Sequence, residues 1–239
     1  MRCLVLVLTL IAASAASAED ARDLEAATPS WSQVDRAQAE VDVEALVKAG
    51  VGRPAAMDRL EEWRAKGADA AKSLALLEGF AHAAQQGRAA VDEAGLPVAS
   101  VLVESAAAAS AAGASKDDMV RTLTGSPSVD EASSRCLALS TLSTSGFAPA
   151  AAAEVITLAA QRGYRRAELG LLLSSVQRLA REGVAPRELL IGQLSSAVRS
   201  GVRPGELYPT VLKGLGGPRP ARAGGTESGF NHPVLRTNK

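Results

Sequence analysis

The stretch REGVAPRELL, Arg181–Leu190, decides how this chain folds. Its glycine follows a run with helical spacing, and a glycine in the left-handed conformation commonly closes a helix. Its proline stands where a new helix can begin, because the first helical residues have no partner for an N–H group. Glu188 then places a carboxylate beside the free N–H groups of the first turn. The stretch therefore predicts the end of one α-helix and the start of the next, and it needs no ligand to explain it.

The same pattern recurs along the chain. RGYRRAEL begins at Arg162, SGVRPGEL begins at Ser200, and weaker versions surround Gly50, Gly67, Gly87, Gly95, Gly113 and Gly146. Many neighbouring versions are 17 to 20 residues apart, which one helix of about 14 residues and a tight turn account for. Each of these glycines is predicted to mark a helix boundary.

The residues between the glycines have helical periodicity. Leu169, Leu172, Leu173 and Val176 follow the i, i+3, i+4, i+7 spacing of a buried helix face, and alternating β-branched runs are nearly absent. We therefore predict an all-α fold of about ten short antiparallel helices, stacked as helical hairpins in a solenoid-like or irregular bundle. The predicted helices cover residues 29–49, 54–66, 68–86, 97–112, 116–124, 127–145, 148–162, 165–182, 186–200 and 204–213.

The ends of the chain differ in composition from its centre. Residues 1–18 have a basic start, a short apolar run and the small residues ASA, which is the layout of a secretory signal peptide. We expect residues 19–28 to be a flexible segment, residues 29–213 to form one helical-repeat domain, and the Gly- and Pro-rich residues 214–239 to be a disordered tail. The mature protein is thus expected to be exported, periplasmic or secreted.

Residues that commonly carry enzyme chemistry are sparse. His82 is the one histidine of the predicted domain and is expected to lie on a helix surface or in a satisfied core position. The carboxylate pairs Glu61–Glu62 and Asp117–Asp118 are explained as a solvated helix face and a helix start. We therefore predict no catalytic, cofactor-binding or metal-binding residues and a non-enzymatic protein, with an unrecognised carboxylate-dependent hydrolase as an alternative.

Cys136 lies in the apolar helical stretch SSRCLALSTL. It is the one cysteine left after removal of the predicted signal peptide, so a disulfide within one mature chain is excluded. We predict a buried, inert thiol; a redox role or an intermolecular disulfide is the alternative.

Charge is unevenly distributed although the formal net charge is zero. Residues 160–239 hold 13 Lys or Arg against 5 Asp or Glu, whereas residues 19–159 hold 12 against 21. The predicted domain thus has an acidic part, 29–159, and a basic part, 160–213. Because arginine suits carboxylates and phosphates, the basic part is a candidate surface for an anionic partner, carried by Arg162, Arg165, Arg166, Arg178, Arg181, Arg187, Arg199 and Arg203.

Three functional interpretations follow from these patterns. The first is an exported protein-interaction scaffold in the bacterial envelope or extracellular space, with an unknown protein partner. The second is a binder of anionic lipid or envelope polymer through the arginine-rich part, an attraction that salt would weaken. The third is the hydrolase.

The arginines also have explanations that need no partner. They can cap helix C-termini, solvate the helix surface, or neutralise the acidic part, either within one molecule or by head-to-tail self-association. No nucleic-acid partner is expected for an exported chain.

Overall fold

The computed structural model describes residues 24–216, and every regular element within that span is helical. The predicted all-α fold is confirmed. The predicted signal peptide, and the predicted tail from residue 217 onward, lie outside the described residues. The α-helices are α1 (Gln33–Ala49), α2 (Arg53–Ala65), α3 (Ala70–Glu93), α4 (Ser100–Ala111), α5 (Lys116–Leu123), α6 (Val129–Thr144), α7 (Pro149–Gln161), α8 (Arg166–Arg181), α9 (Arg187–Arg199) and α10 (Leu207–Gly214), with a short 3-10 helix at Pro204–Glu206 before α10.

The predicted glycine turns are confirmed at most positions. At the end of α6, Gly146 has a φ of 85° and donates its N–H to the Ser143 carbonyl, and the N–H of Phe147 donates to the Leu142 carbonyl. This pair of bonds closes the helix, and it turns the Phe147 side chain back into the core, where it is buried. The same pair of bonds ends the helices before Gly50, Gly67, Gly95, Gly113, Gly163 and Gly201.

The prediction that a helix ends near Gly87 is wrong. Helix α3 continues through Gly87 to Glu93, because this glycine has a packing role. A Cβ atom placed on Gly87 would lie 2.8 Å from the backbone nitrogen of Ala107 and 3.0 Å from the carbonyl carbon of Ala106. Helices α3 and α4 therefore cross at a distance that a larger residue does not allow.

From α4 onward the helices form two rows in which each helix packs on the next but one. In one row α4 lies parallel to α6, since Ser133 and Ser140 donate to the carbonyls of Val101 and Ala108, each 32 residues earlier. In the other row α5 packs on α7 and α7 packs on α9. Contacts of α6 with α8 and of α8 with α10 continue the first row. This arrangement is the stacked, solenoid-like alternative among the predicted architectures.

Helix α3 joins the two hydrophobic cores of the described chain. Leu77, Ala81 and Ala84 pack with α1 and α2 in the first core. Ala90 and Val91, near the end of the same helix, belong to the second core, which is formed with α4 to α10. The extra turns of α3 beyond the predicted end at residue 86 thus connect both parts of the molecule.

The segment expected to be flexible differs from the prediction where it is described. Residues 24–27 form a helical turn in which Leu24 and Ala27 are buried. The Arg36 side chain donates to the carbonyl of Thr28, and Arg64 donates to that of Ala27. These long-range bonds hold the turn against α1 and α2, and the local composition alone does not reveal them.

Candidate functional site

The turns of the C-terminal stack lie along two opposite edges. The Thr157 hydroxyl donates to the Arg121 carbonyl, the Arg162 guanidinium to the Arg199 carbonyl and the Tyr164 phenol to the Val202 carbonyl. These pairs are separated by 36, 37 and 38 residues, so the turns after α5, α7 and α9 form one row. We call this row the arginine edge; the turns after α4, α6 and α8 form the opposite edge.

The structure divides the eight predicted arginines between these two edges. All eight are exposed. Five lie at the arginine edge: Arg162, Arg165, Arg166, Arg199 and Arg203. The other three, Arg178, Arg181 and Arg187, lie near the opposite edge. Helix α8 separates Arg166 from Arg181 by its 16 residues, roughly 24 Å. The sequence predicted one basic surface, and the fold makes two.

Arginines at the opposite edge are held by contacts within the protein. Arg178 donates to Glu182 at 2.9 Å and stacks over the Tyr208 ring at 4.0 Å from its centroid. The Tyr208 phenol and Arg178 both donate to Glu182, which lowers the pKa of that carboxyl. Arg187 donates to the Ser145 carbonyl at 2.6 Å. Arg181 has no such partner within the described residues and lines, with Arg187, a groove of about 300 Å³.

The guanidinium groups at the arginine edge make fewer contacts within the protein than those at the opposite edge. Arg199 pairs with Glu154 at 3.2 Å, and Arg162 donates to a carbonyl. The guanidinium groups of Arg165, Arg166 and Arg203 have no hydrogen bond or ion pair within residues 24–216. The Tyr164–Val202 bond brings their two turns together, and burial raises the pKa of the Tyr164 phenol. Three unengaged guanidinium groups thus lie on adjacent turns.

Ion pairing divides the described chain into two regions. In residues 24–116, which we call the paired region, seven of nine Lys and Arg side chains make a salt bridge to a carboxylate. In residues 121–216, the open region, three of eleven do. The difference leaves most of the available positive charge in the open region.

Sequence reasoning missed two arginines near the same edge. Arg121, at the end of α5, and Arg135, in α6, fall inside the part predicted to be acidic. Together with residues of α7 they line a pocket of about 450 Å³. For Arg121 the signal is the repeat of 36 to 38 residues, which aligns it with Thr157 just as it aligns Arg162 with Arg199. No comparable signal selects Arg135.

The histidine and the carboxylates that the sequence analysis considered for enzyme chemistry make contacts that are common on helix surfaces and at helix starts. His82 is exposed on α3, with its Nε2 atom 3.0 Å from the Gln86 amide nitrogen. Glu62 pairs with Lys66 and Arg59, which lowers the pKa of its carboxyl. Asp118 forms a capping box with Ser115 at the start of α5.

Cys136 has no exposed surface, and burial raises the pKa of its thiol to about 12. A thiol with such a pKa holds its proton at neutral pH and is a poor nucleophile. The placement agrees with the predicted buried, inert cysteine.

Searches of the described residues and of known proteins add no assignment. Within residues 24–216 no group of His, Cys, Asp and Glu side chains is arranged to hold a metal ion. None of the described helices combines the length and the apolar character that a membrane span requires. The chain matches no protein-family model, and comparisons with curated proteins and with solved structures find no match either.

Proposed function

We propose that this protein is an exported, non-enzymatic interaction scaffold whose arginine edge binds an acidic segment of a partner protein. One observation supports the proposal above all: Arg165, Arg166 and Arg203 lie exposed and unengaged on two adjacent turns. Guanidinium groups form paired hydrogen bonds with carboxylates. A row of them on a rigid stack of helices offers such bonds to an extended acidic chain without first breaking internal contacts.

The composition of this edge favours an acidic protein over a membrane surface. Proteins that lie on membranes insert large apolar side chains beside their basic residues. The two turns at residues 162–166 and 199–203 contain no exposed large apolar side chain, because Tyr164 is buried and Val202 is half-buried. Anionic lipid or envelope polymer remains the second candidate, which rests on the same charge.

The first experiment measures binding of the mature protein to polyglutamate and to vesicles that contain anionic lipid. We expect saturable binding to polyglutamate that weakens by at least tenfold between low and physiological salt, since the attraction is between exposed charges. Binding to vesicles but not to polyglutamate would favour the membrane interpretation. Binding that does not change with salt contradicts both.

Two triple variants with the same change in charge locate the surface. Arg165→Gln, Arg166→Gln and Arg203→Gln remove the unengaged groups of the arginine edge. Arg178→Gln, Arg181→Gln and Arg187→Gln are the matched control at the opposite edge. We expect the first triple to weaken polyglutamate binding at least tenfold and the control less than about threefold. Equal losses would mean that only total charge matters, and the proposed surface would be wrong.

Export and the lack of enzymatic activity need separate tests. N-terminal sequencing of the protein recovered from cells should find Glu19 as the first residue, outside the cytosol; an intact leader on a cytoplasmic product contradicts export. A panel of hydrolase substrates, with His82→Ala as a control variant, tests the hydrolase alternative. Turnover that the variant abolishes would overturn the non-enzymatic assignment.

A further inference from the structure

The pocket beside the arginine edge combines a buried cation with an accessible rim. Arg135 lies at its floor with a side chain that is 6% exposed. Arg121, Thr124 and Gln161 are exposed at its rim, and Thr157 and Ala160 of α7 are half-buried in its wall. The volume of about 450 Å³ falls in the range of small-molecule sites.

The partners of Arg135 do not use all of its hydrogen-bonding capacity. Its Nε atom lies 3.5 Å from Oε1 of Glu131, a carboxylate whose side chain is 8% exposed, yet neither atom has a well-formed hydrogen bond. Its Nη1 atom donates to the Thr124 carbonyl over a long distance of 3.5 Å. A guanidinium group carries five N–H donors, and the Nη2 atom has no partner among the described residues. The group thus keeps unused donors in the pocket.

The charges around the pocket indicate the charge of its ligand. Arg121 and Arg135 contribute two positive charges, and Glu131 offsets one of them. The net charge of about +1 matches one carboxylate better than a doubly charged phosphate. The planar arrangement of Nη donors also matches the two oxygens of a carboxylate.

The uncharged residues that line the pocket indicate the chemistry of the uncharged part of the ligand. Ala160 and the methyl groups of Thr124 and Thr157 give it apolar surface, and the Gln161 amide adds a further polar group at the rim. We infer that this pocket binds a small monocarboxylate with an apolar body, whose carboxylate accepts hydrogen bonds from Arg135 and Arg121.

This site is separate from the surface that the proposed function uses. Arg165, Arg166 and Arg203 do not line the pocket, and neither Arg121 nor Arg135 belongs to the triple variant of the arginine edge. Loss of polyglutamate binding and loss of carboxylate binding are therefore distinguishable. The triple variant should retain the carboxylate site, and a pocket variant should retain polyglutamate binding.

Calorimetric titration at constant ionic strength tests the inference with acetate, butyrate, hexanoate and benzoate, and with phosphate and chloride as comparison anions. We expect one saturable site, with affinity rising from acetate to hexanoate or benzoate and with no saturable binding of chloride. Tighter binding of phosphate than of every carboxylate overturns the assignment. The absence of saturable binding by all four carboxylates overturns the site itself.

Variants assign the binding to the pocket. Arg135→Lys keeps the charge but removes the paired donors, and it should weaken benzoate binding at least tenfold. Thr157→Val keeps the size of the wall and should change affinity less than about threefold, whereas Arg121→Gln should weaken it severalfold. Arg181→Gln, at the opposite edge, is the control and should have no effect. If Arg135→Lys does not fold, Arg121→Gln decides, and unchanged affinity in that variant contradicts the inference.

Discussion

The paired region and the open region use the same charged residue types in different ways. In the paired region Arg53 lies 2.8 Å from Glu40 and Lys116 lies 2.8 Å from Glu93. Five of the other seven cations there also pair with a carboxylate. In the open region Arg165, Arg166 and Arg203 have none within residues 24–216. The arginines of the open region were prominent in the sequence because they are numerous. Their availability, and not their number, decides where an anionic partner can bind.

Of the three ion pairs in the open region, Glu131–Arg135 is the buried one, and breaking it gives the largest expected effect. Arg135→Met leaves a buried carboxylate without a counter-charge, which costs about 3–5 kcal/mol of unfolding free energy. The double variant Glu131→Gln, Arg135→Met should recover most of that loss. Urea denaturation followed by circular dichroism measures both, and a single variant that loses less than about 1 kcal/mol would mean that the pair is not buried.

The contact between α3 and α4 lies inside the paired region, where residues of both helices belong to both hydrophobic cores, and Gly87 tests it. Gly87→Ala should lower the unfolding free energy by about 1–3 kcal/mol, because the added methyl group meets the backbone of α4. Gly79→Ala is the matched control in the same helix, where a Cβ atom meets nothing within 4 Å. The control should gain about 0.5–1 kcal/mol from helix propensity. Equal effects in the two variants would contradict the close crossing.

The bond between the Tyr164 phenol and the Val202 carbonyl fixes the spacing of the two arginine-bearing turns. Tyr164→Phe removes this bond alone and should cost about 1 kcal/mol of unfolding free energy. It should also weaken polyglutamate binding severalfold, since the turns lose their fixed separation. Denaturation and binding measured on the same preparation separate the two effects. A variant with lower stability but full binding would show that the spacing of the turns is unimportant.

The exposed pairs of the paired region should contribute least. Lys66 and Arg59 lower the pKa of Glu62 in the folded protein, so its ionised form stabilises the fold above the ordinary carboxyl pKa of 4.5. Glu62→Gln should lower the melting temperature slightly at pH 7 in low salt. The difference from wild type should shrink in high salt and vanish as the pH falls below 4.5, through the lowered pKa. A difference that persists in acid contradicts this origin.

Local sequence was sufficient to predict the helices, because their ends depend on local conformations. Gly146 and Gly163 end helices through bonds to residues three positions earlier, and such bonds follow from the glycine itself. Gly87 lies in a similar sequence context, yet its role depends on Ala106 and Ala107 of another helix. A single sequence does not reveal that neighbour, so this one boundary was predicted wrongly.

The arrangement of the arginines could be predicted only in part. Charge alone selected Arg165 and Arg166, but it also selected Arg178 and Arg187. In the fold, Arg178 and Arg187 lie near the opposite end of α8 from Arg166. Arg135 was not selected because it falls inside the part predicted to be acidic, 29–159. Its burial beside Glu131 depends on how α6 packs, which hydrophobic periodicity predicts in outline but not in register.

Site-specific crosslinking in the organism that makes the protein tests the central claim most directly. A photoreactive amino acid replaces exposed Ala167, beside the unengaged arginines, or exposed Pro186, at the opposite edge. We predict that position 167 crosslinks an acidic partner at low and physiological salt but not at high salt. Position 186 should not crosslink this partner at any salt concentration. Crosslinking of the same partner from position 186 but not from 167 would contradict the assignment of the arginine edge as the binding surface.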